Sequence, residues 1–521
     1  MAKNSSLRSR SLRDTSVALV ALAGAIVLLL GLSALLGGLD FVSVAHPVHW
    51  LAELERADAS GKLSDAAAVV AGVLGIAITV VALVVQLAAT SSGPRITGMF
   101  IGEPINRAVM GLFLLTTLQC LWISVTLDDS NVAAILPNAG FAITMLMITI
   151  SLLVLLPYFI FVFSFLSPLN MIEQLHQNAS RAMSRATTNG AVESDQRIVA
   201  NSIDELQDVA RIAIEQSDRA VAIACIESLA ELLFEYQRIR GALPAKWFRL
   251  TDAIRRDPDF VSLAPSSLAE LEATNLWFEV KVLRHYWGLM ANSVPQARDV
   301  ADMIAINSQR IGAAAAETHP ELITQCIRCF NTYLRTTINA SDKRTGVYVL
   351  NQYRIMAEAL LAHRRLDRVR EIAGFFQYYG VYAHRLGQSF ILEVAAHDLV
   401  QLIETAAANE SPVVDDLLNR LLELDQEIKQ DSQEDSLMGV RRAQIQLATL
   451  FLERNEEARA RRIVADLATE RLERLERIRI ELLSDDRSQY WEFDSRGLRF
   501  AYLAPERRRH LATLFGWLGS P

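Results

Sequence analysis

Four long segments without a charged side chain occupy much of the first third of this 521-residue chain. They cover residues 17–39, 66–90, 108–127 and 130–172. A bilayer core about 30 Å thick is crossed by about 20 apolar residues in an α-helix, so each segment is long enough to span it. The sequence therefore predicts four transmembrane helices. Prolines divide the last segment, and its membrane-buried part is predicted at 140–165.

Basic residues near the segment ends predict the orientation, because lysine and arginine resist translocation. Four of them precede the first span, and Arg95 and Arg107 lie between the second and third spans. The loop around Asp128 has none, and the loop with Arg56 and Lys62 is mainly acidic. The first span is too long for a signal peptide, so it is interpreted as a retained anchor. We expect a multi-pass protein of the bacterial inner (plasma) membrane with both termini in the cytoplasm.

The remainder of the chain has the composition of a water-soluble domain. Charged residues recur every few positions after residue 172, and the formal net charge of the chain is −8. This acidic balance gives no support for nucleic-acid binding, which requires a basic face. The expected organisation is a transmembrane domain at 1–171, a polar linker at 172–201 around Gly190, and a cytoplasmic helical domain at 202–521.

Helical periodicity dominates the predicted cytoplasmic domain, so the fold class is mainly α. The later helices form pairs: 353–366 with 367–379, 389–407 with 412–429, and 439–454 with 456–470. Helix pairs in series are typical of an α-solenoid, although no fixed repeat length is evident. Alternation around Gly497 predicts one small C-terminal β-hairpin at 490–502.

Two segments resemble a known family. Residues 78–96 have the sequence ITVVALVVQLAATSSGPRI, and residues 111–120 have GLFLLTTLQC. They resemble an uncharacterised family of bacterial predicted membrane proteins, the domain of unknown function 2254. In that family a Val/Ala-rich helix leads into a Gln-Leu-Ala, a serine-containing turn and a Pro-Arg, matched here by Gln86, Leu87, Ala88, Pro94 and Arg95. A further stretch, residues 202–233, resembles the first soluble helices of the same family. The resemblance thus covers roughly residues 65–233 and implies a membrane protein, without an activity.

Few residues have the pattern of a chemical site. His46 and His49 offer nitrogen donors for a metal, but an interfacial loop is the better interpretation, and neither a metal nor a cofactor is predicted. Cys326 and Cys329 form a lone CxxC inside a helix, where two small buried hydrophobes are the better interpretation. No phosphate-binding loop, zinc-protease motif or nucleophile elbow occurs, which argues against an enzyme without excluding one.

Other candidates concern surfaces and membrane contacts. An aromatic cluster either walls a ligand pocket or forms the core of a helix pair: Phe375, Phe376, Tyr378, Tyr379 and Tyr382. The final helix has a basic start followed by an aromatic end and either rests on anionic lipid or docks on its own domain: Arg507, Arg508, Arg509 and Trp517. Pro94 and Arg95 are expected in a cytoplasmic loop near the interface.

Small and polar residues recur on one face of the second span, and this pattern favours close helix packing in lipid. The face includes Gly72, Gly75, Thr79 and Gln86. Thr79 lies at the same predicted depth as Gln119 of the third span, so we expect these side chains to face each other. The alternative is that this face packs on another span or on a second subunit.

Together these features favour a scaffold or partner-binding protein that acts through its cytoplasmic helical domain, with a protein partner or a second copy of the chain. The alternative is an oligomeric channel or transporter gated by that domain. The predicted spans lack ionisable residues, which transport paths usually contain, so the first interpretation is favoured.

Overall fold

The computed structural model describes residues 56–92, 103–128, 138–165, 167–188, 191–294, 296–424, 437–484 and 500–519. These residues are mainly helical, and no β-strand occurs among them. The chain divides into two compact units, residues 1–171 and 172–521.

Three long helices form the described part of the N-terminal unit: α1 (Arg56–Ser92), α2 (Pro104–Asp128) and α3 (Asn138–Phe165). Each contains a stretch long and apolar enough to cross a membrane, at Gly61–Gln86, Pro104–Val125 and Ile143–Phe163. These stretches coincide, within a few residues, with the second, third and fourth predicted spans. The first predicted span, 17–39, lies outside the described residues.

Within this unit α1 packs against α2, and α2 packs against α3. The buried face of α1 consists of apolar side chains: Leu63, Ala67, Val70, Ala77, Val81 and Val85. Between α2 and α3, the hydroxyls of Thr116 and Ser151 share a hydrogen bond of 2.8 Å. The Tyr158 hydroxyl donates to Asn106 Oδ1 at 2.5 Å. Because lipid offers polar groups no partner, such bonds hold neighbouring helices together.

The small-residue face predicted on α1 is exposed within the described part of this unit. Gly72, Gly75, Thr79 and Gln86 all lie on it, whereas Gln119 is buried. The Thr79 hydroxyl donates to the Gly75 carbonyl of its own helix at 2.9 Å. A bond between Thr79 and Gln119 stays a prediction.

The C-terminal unit is a series of helices. Helix α4 (Pro168–Ala186) contains the division between the units. It is followed by α5 (Val192–Glu215), α6 (Arg219–Ile239), α7 (Asp252–Arg255), α8 (Pro258–Val261), α9 (Pro265–Thr274), α10 (Trp277–Ser293), α11 (Arg298–Thr318), α12 (Pro320–Asn339), α13 (Lys343–Ala362), α14 (Leu366–Arg385), α15 (Ser389–Ala408), α16 (Val414–Glu423), α17 (Met438–Glu453), α18 (Glu457–Leu467), α19 (Leu472–Ser484) and α20 (Pro505–Trp517). Two short 3₁₀ helices, Arg240–Ala242 and Ala245–Phe248, separate α6 from α7.

These helices stack in two layers. In the first layer α6, α11, α13, α15 and α17 follow one another, each packed on the next. In the second layer α5, α10, α12, α14 and α16 do the same. The three predicted helix pairs correspond to α13 with α14, α15 with α16, and α17 with α18. The structure thus confirms a helical repeat-like region, because each hairpin buries its apolar face against its neighbours.

Similar turns join the helices of the later hairpins. Ser341, Arg364, Gly387 and Glu410 each have a positive φ and are equally spaced along the chain. At each turn the following residue's N–H bonds a carbonyl five residues back, as Asp342 does to Thr337 at 3.0 Å. This pairing closes the last helical turn and reverses the chain. Only one of these residues is glycine, so composition alone does not reveal the repeat.

Two predictions differ from the described structure. The predicted hairpin is not supported: residues 485–499 lie outside the described part, and Phe500 and Ala501 form a turn. The predicted linker is largely helical, since residues 172–201 contain most of α4 and the start of α5. Ile172, Leu175 and Ala179 are buried on one face of α4, and this helical spacing decides the structure despite the polar composition.

Candidate functional site

Helix α10 carries three titratable side chains into the interior of the C-terminal unit. Glu279 and Lys281 are fully buried, and His285 is 4% exposed. Lysine and glutamate are almost never buried to this degree unless they are paired. Their partners therefore define the most unusual polar site among the described residues.

The Lys281 ammonium contacts three carboxylates. Its Nζ lies 2.5 Å from Asp204 Oδ1, 2.7 Å from Asp259 Oδ2 and 2.9 Å from both oxygens of Asp257. His285 Nε2 lies 3.2 Å from the same oxygens of Asp204 and Asp259 that Lys281 contacts. One buried ammonium thus contacts three aspartates, and one imidazole contacts two of them.

Local structure positions each member of this lysine–aspartate cluster. Lys281 and His285 are four residues apart on α10 and so lie on one face of that helix. Asp257 caps the start of α8, and its carboxylate accepts from the Asp259 N–H at 3.0 Å. Asp204 is supplied by α5. The cluster therefore connects α5, α8 and α10.

Burial and charge act in opposite directions on the pKa values. Burial opposes ionisation of Asp204, but the hydrogen bond from His285 and the charge of Lys281 outweigh it and hold the pKa of Asp204 below its ordinary value. Burial raises the pKa of Asp257, with Lys281 opposing it. Burial would lower the pKa of Lys281, but the three aspartates outweigh it and raise that pKa. The ammonium form of Lys281 is therefore favoured.

Asp204, Asp259 and His285 also have the donor types of a metal site, with ligand atoms within 4.8 Å of one another. Lys281 Nζ, however, contacts the same carboxylate oxygens that would bind the ion. A divalent cation at this point would be repelled by an ammonium that is itself fully buried. The arrangement suits an internal cation supplied by the protein, and we assign no metal to it.

A second buried charge lies near the beginning of α10. Glu279 Oε1 accepts from Gln237 at 2.9 Å and also pairs with Arg240. Complete burial raises the pKa of Glu279 to about 7, although the charge of Arg240 acts in the other direction. Glu279 is therefore poised to change its charge near neutral pH.

A third polar group links α4 to α6. His176 Nδ1 lies 3.1 Å from the Ser228 hydroxyl, and its Nε2 lies 3.2 Å from Glu235 Oε1. Hydroxyl, imidazole and carboxylate are the groups of a hydrolase triad. Ser228, however, lies in the interior of α6, where backbone N–H groups bond within the helix and cannot form an oxyanion hole. We interpret the group as a structural link.

The lysine–aspartate cluster was missed by the sequence analysis. The available signal was Lys281 and His285 on the same face of a helix rich in buried apolar residues. Asp257 and Asp259 flank a proline, which is typical of a helix start. Nothing in the sequence connects these residues with Asp204, because that contact depends on how α5 packs against α10.

Some of the site residues predicted from the sequence lie in the described part of the chain, and others lie outside it. His46, His49, Pro94 and Arg95 lie outside the described residues. Cys326 is buried on α12, Cys329 is partly exposed there, and both thiols are free. Burial raises the pKa of Cys329 to about 12 and raises that of Cys326 as well. Such thiols stay protonated at neutral pH, which makes them poor nucleophiles.

The aromatic cluster of α14 divides between two faces of that helix. Phe376 is fully buried and packs edge-on against Tyr353 at 5.4 Å between ring centroids. Tyr379 is also buried, whereas Tyr378 is 50% exposed. One part of the cluster belongs to the core, and the other part forms surface.

The final helix, α20, packs on its own unit. Leu511, Leu514 and Phe515 are buried, and α20 contacts α17 and α19. Arg507 pairs with Glu404 at 2.7 Å and with Glu453 at 3.1 Å. The Arg461 guanidinium lies 4.2 Å from the centroid of the Trp517 ring. The apolar face of α20 is thus used within the unit, and a contact of Arg508 or Arg509 with lipid stays a prediction.

Comparison with known proteins agrees with this architecture. A family model described as "Predicted membrane protein (DUF2254)" matches residues 15–205. The match confirms the family resemblance; it begins further towards the N-terminus than the predicted range of 65–233 and ends at residue 205. No match was found among curated proteins. A solved "Circular tandem repeat protein with novel repeat topology and enhanced subunit contact surfaces" is similar at 16% identity over 79% of this chain and 85% of that one. Its TM-score of 0.25 is too low to support a shared fold.

The fold is of a helical class in which, among the described residues, three apolar helices of membrane length are followed by a helical repeat-like unit. Over residues 15–205 the chain matches the family of predicted membrane proteins named above, for which no activity is given.

Proposed function

We propose that this protein is a multi-pass protein of the bacterial inner membrane whose repeat-like unit lies in the cytoplasm and binds a protein partner. The observation that carries the proposal is a surface group on the second helix layer, in which Arg335 and Tyr378 are exposed and Tyr382 is partly buried. It consists of Arg335 on α12 with Tyr378 and Tyr382 on α14, and we call it the tyrosine–arginine surface.

Contacts within the tyrosine–arginine surface hold its side chains in place. The rings of Tyr378 and Tyr382 are parallel, with centroids 6.3 Å apart. Arg335 Nη2 donates to the Tyr378 hydroxyl at 3.2 Å, and the Arg335 guanidinium lies 5.4 Å from the Tyr382 ring centroid. Tyr382 donates to Asn339 Oδ1 at 2.9 Å.

This composition supports protein recognition. Tyrosine and arginine are enriched among the residues that contribute most binding energy at interfaces. Side chains that are ordered before binding lose less entropy when a partner arrives. An exposed apolar ring also gains from leaving water. The stacked helices provide the rigid support that such a surface needs.

A photo-crosslinking residue in place of Tyr378 should capture a discrete protein adduct in intact cells. The same residue in place of Leu386, which is also about half exposed and follows the same helix, is the matched control and should give little product. Mass spectrometry of the adduct identifies a separate protein or a second copy of this chain. Equal labelling at both positions, or no adduct at position 378, would contradict the proposal.

In this proposal the protein partner can be a second copy of the same chain. The exposed small-residue face of α1 supports close approach of another helix, either the first span predicted from the sequence or a helix of a second copy. Robust ion flux through the purified protein in liposomes would instead favour an oligomeric channel.

The proposed orientation has a direct test. In a variant without native cysteines, a cysteine at position 130 should react with an impermeant thiol reagent added outside the cell, and one at position 92 should react only after permeabilisation. The reason is the shortage of basic residues near Ser130 and the presence of Arg95 and Arg107 after Ser92. The reverse labelling pattern would place the repeat-like unit outside the cytoplasm.

A further inference from the structure

A cavity of about 230 Å³ lies between α9, α10 and α12 in the C-terminal unit. Its walls are mainly apolar and include Leu271, Val280, Leu283 and Trp287. This volume is below the roughly 300–1,000 Å³ of pockets for drug-sized ligands, so it suits a small molecule.

One guanidinium in this cavity lacks a partner. Arg284 is partly buried, and its Nε is buried without a hydrogen bond. No described residue forms an ion pair with Arg284, and its one polar contact is with the Trp287 ring, whose centroid is 5.8 Å away. Buried donors normally have partners, because desolvation without a hydrogen bond is unfavourable.

Other partly buried arginines of this unit form ion pairs with carboxylates, which Arg284 does not. The Nε of Arg442 is likewise buried without a hydrogen bond, but the Arg442 guanidinium pairs with Glu393 and with Glu481, and Arg441 pairs with Asp466. The second arginine of the cavity, Arg328, is already neutralised by Glu270 at 3.0 Å. The described charged residues of the lining therefore leave one uncompensated positive charge, that of Arg284.

We propose that this cavity binds a small organic monocarboxylate, with its carboxylate on Arg284 and its apolar body against Trp287 and Leu271. The planar guanidinium matches a carboxylate through two parallel hydrogen bonds. A single negative charge balances the lining, whereas a dianion would meet only one unpaired cation. Trp287 and the leucines explain why the body of the ligand is apolar.

The position of α10 supports a preformed site. Lys281 and His285 attach one face of α10 to α5 and α8, while Val280, Arg284 and Trp287 line the cavity. The buried cluster thus fixes the helix that carries Arg284. A ligand that enters would not need to order this helix first.

Calorimetric titration of the full-length protein in mild detergent tests the proposal. Phenylacetate and hexanoate are the probes, and phenylacetamide and hexanamide are their neutral counterparts of nearly the same shape. We expect each acid to bind at least about tenfold more tightly than its amide, because only the acid pairs with the guanidinium. Arg284→Gln should abolish this preference, whereas Arg344→Gln, an exposed position on α13 outside the cavity, should retain it.

Two further measurements separate binding from folding. Arg284→Gln should keep the wild-type unfolding midpoint, since Arg284 has no ion pair or hydrogen bond in the described part to lose. Val280→Phe should fill the cavity and weaken acids and amides alike. Equal affinity for acid and amide, an undiminished preference in Arg284→Gln, no binding of either acid at millimolar concentration, or tighter binding of inorganic phosphate would each overturn the proposal.

Discussion

Lys281→Met should destabilise the C-terminal unit by roughly 3–5 kcal/mol, the cost found when one partner of a buried ion pair is removed. Methionine has nearly the size of lysine, so the cavity contribution should be small. Without the ammonium, the carboxylates of Asp204, Asp257 and Asp259 would face one another, and His285 contacts only those of Asp204 and Asp259. The measurement is denaturant-induced unfolding of the full-length protein, followed through its helical signal.

Lys343→Met is the matched control, because Lys343 is an exposed residue at the start of α13. Its effect should stay within about 0.5 kcal/mol. The stability difference between Lys281→Met and the wild type should also become smaller as the pH falls. The reason is that mutual repulsion raises the pKa values of the three carboxylates in the folded variant, so protonation at low pH removes the repulsion. If Lys281→Met lowered the free energy of unfolding by no more than Lys343→Met does, the cluster would contribute little to stability.

Glu279→Gln should remove a pH dependence from unfolding of the same unit. The pKa of Glu279 is raised from 4.5 to about 7 in the folded protein. A raised pKa means that the folded state favours the protonated acid, so its contribution is fully present below pH 4.5 and is lost as pH rises through about 7. The wild type should lose on the order of 3 kcal/mol from this group over that interval, at about 1.4 kcal/mol per pH unit.

Glutamine keeps the shape and an acceptor for Arg240 but cannot ionise. The variant should therefore match the wild type near pH 4.5 and exceed it in stability near pH 8. Glu231→Gln, an exposed position on α6, should leave the pH profile unchanged. The prediction fails if the Glu279→Gln and wild-type profiles run parallel between pH 4.5 and 8.

The membrane-length helices and the helix pairs were predictable from local pattern. An uncharged run of about 20 residues has few other stable uses, so residues 66–90 alone indicate a spanning helix. The 3.6-residue period likewise indicates helices such as α13 and α14, because their apolar faces must pack on something. Element ends were less predictable. Residues 172–201 have a loop-like composition, yet Ile172, Leu175 and Ala179 recur at helical spacing and are buried.

The functional candidates depended on contacts between distant parts of the chain. The lysine–aspartate cluster brings together Asp204, Asp257 and Lys281 from three helices, and no motif joins them. Similarly, sequence could not say which aromatic residues of α14 enter the core. The packing of α14 buries Phe376 and leaves Tyr378 on the surface.

The sequence by itself determined that this chain has membrane-length helices followed by a helical repeat-like unit, because charge, hydropathy and helical period act over neighbouring residues. Only the tertiary structure decided which charges meet. His285 contacts two aspartates in the core, whereas Arg284, the preceding residue on the same helix, faces a cavity without a described partner. The physical reason is that a 100° turn per residue sends neighbouring side chains towards different surroundings, and those surroundings exist only once the layers have packed.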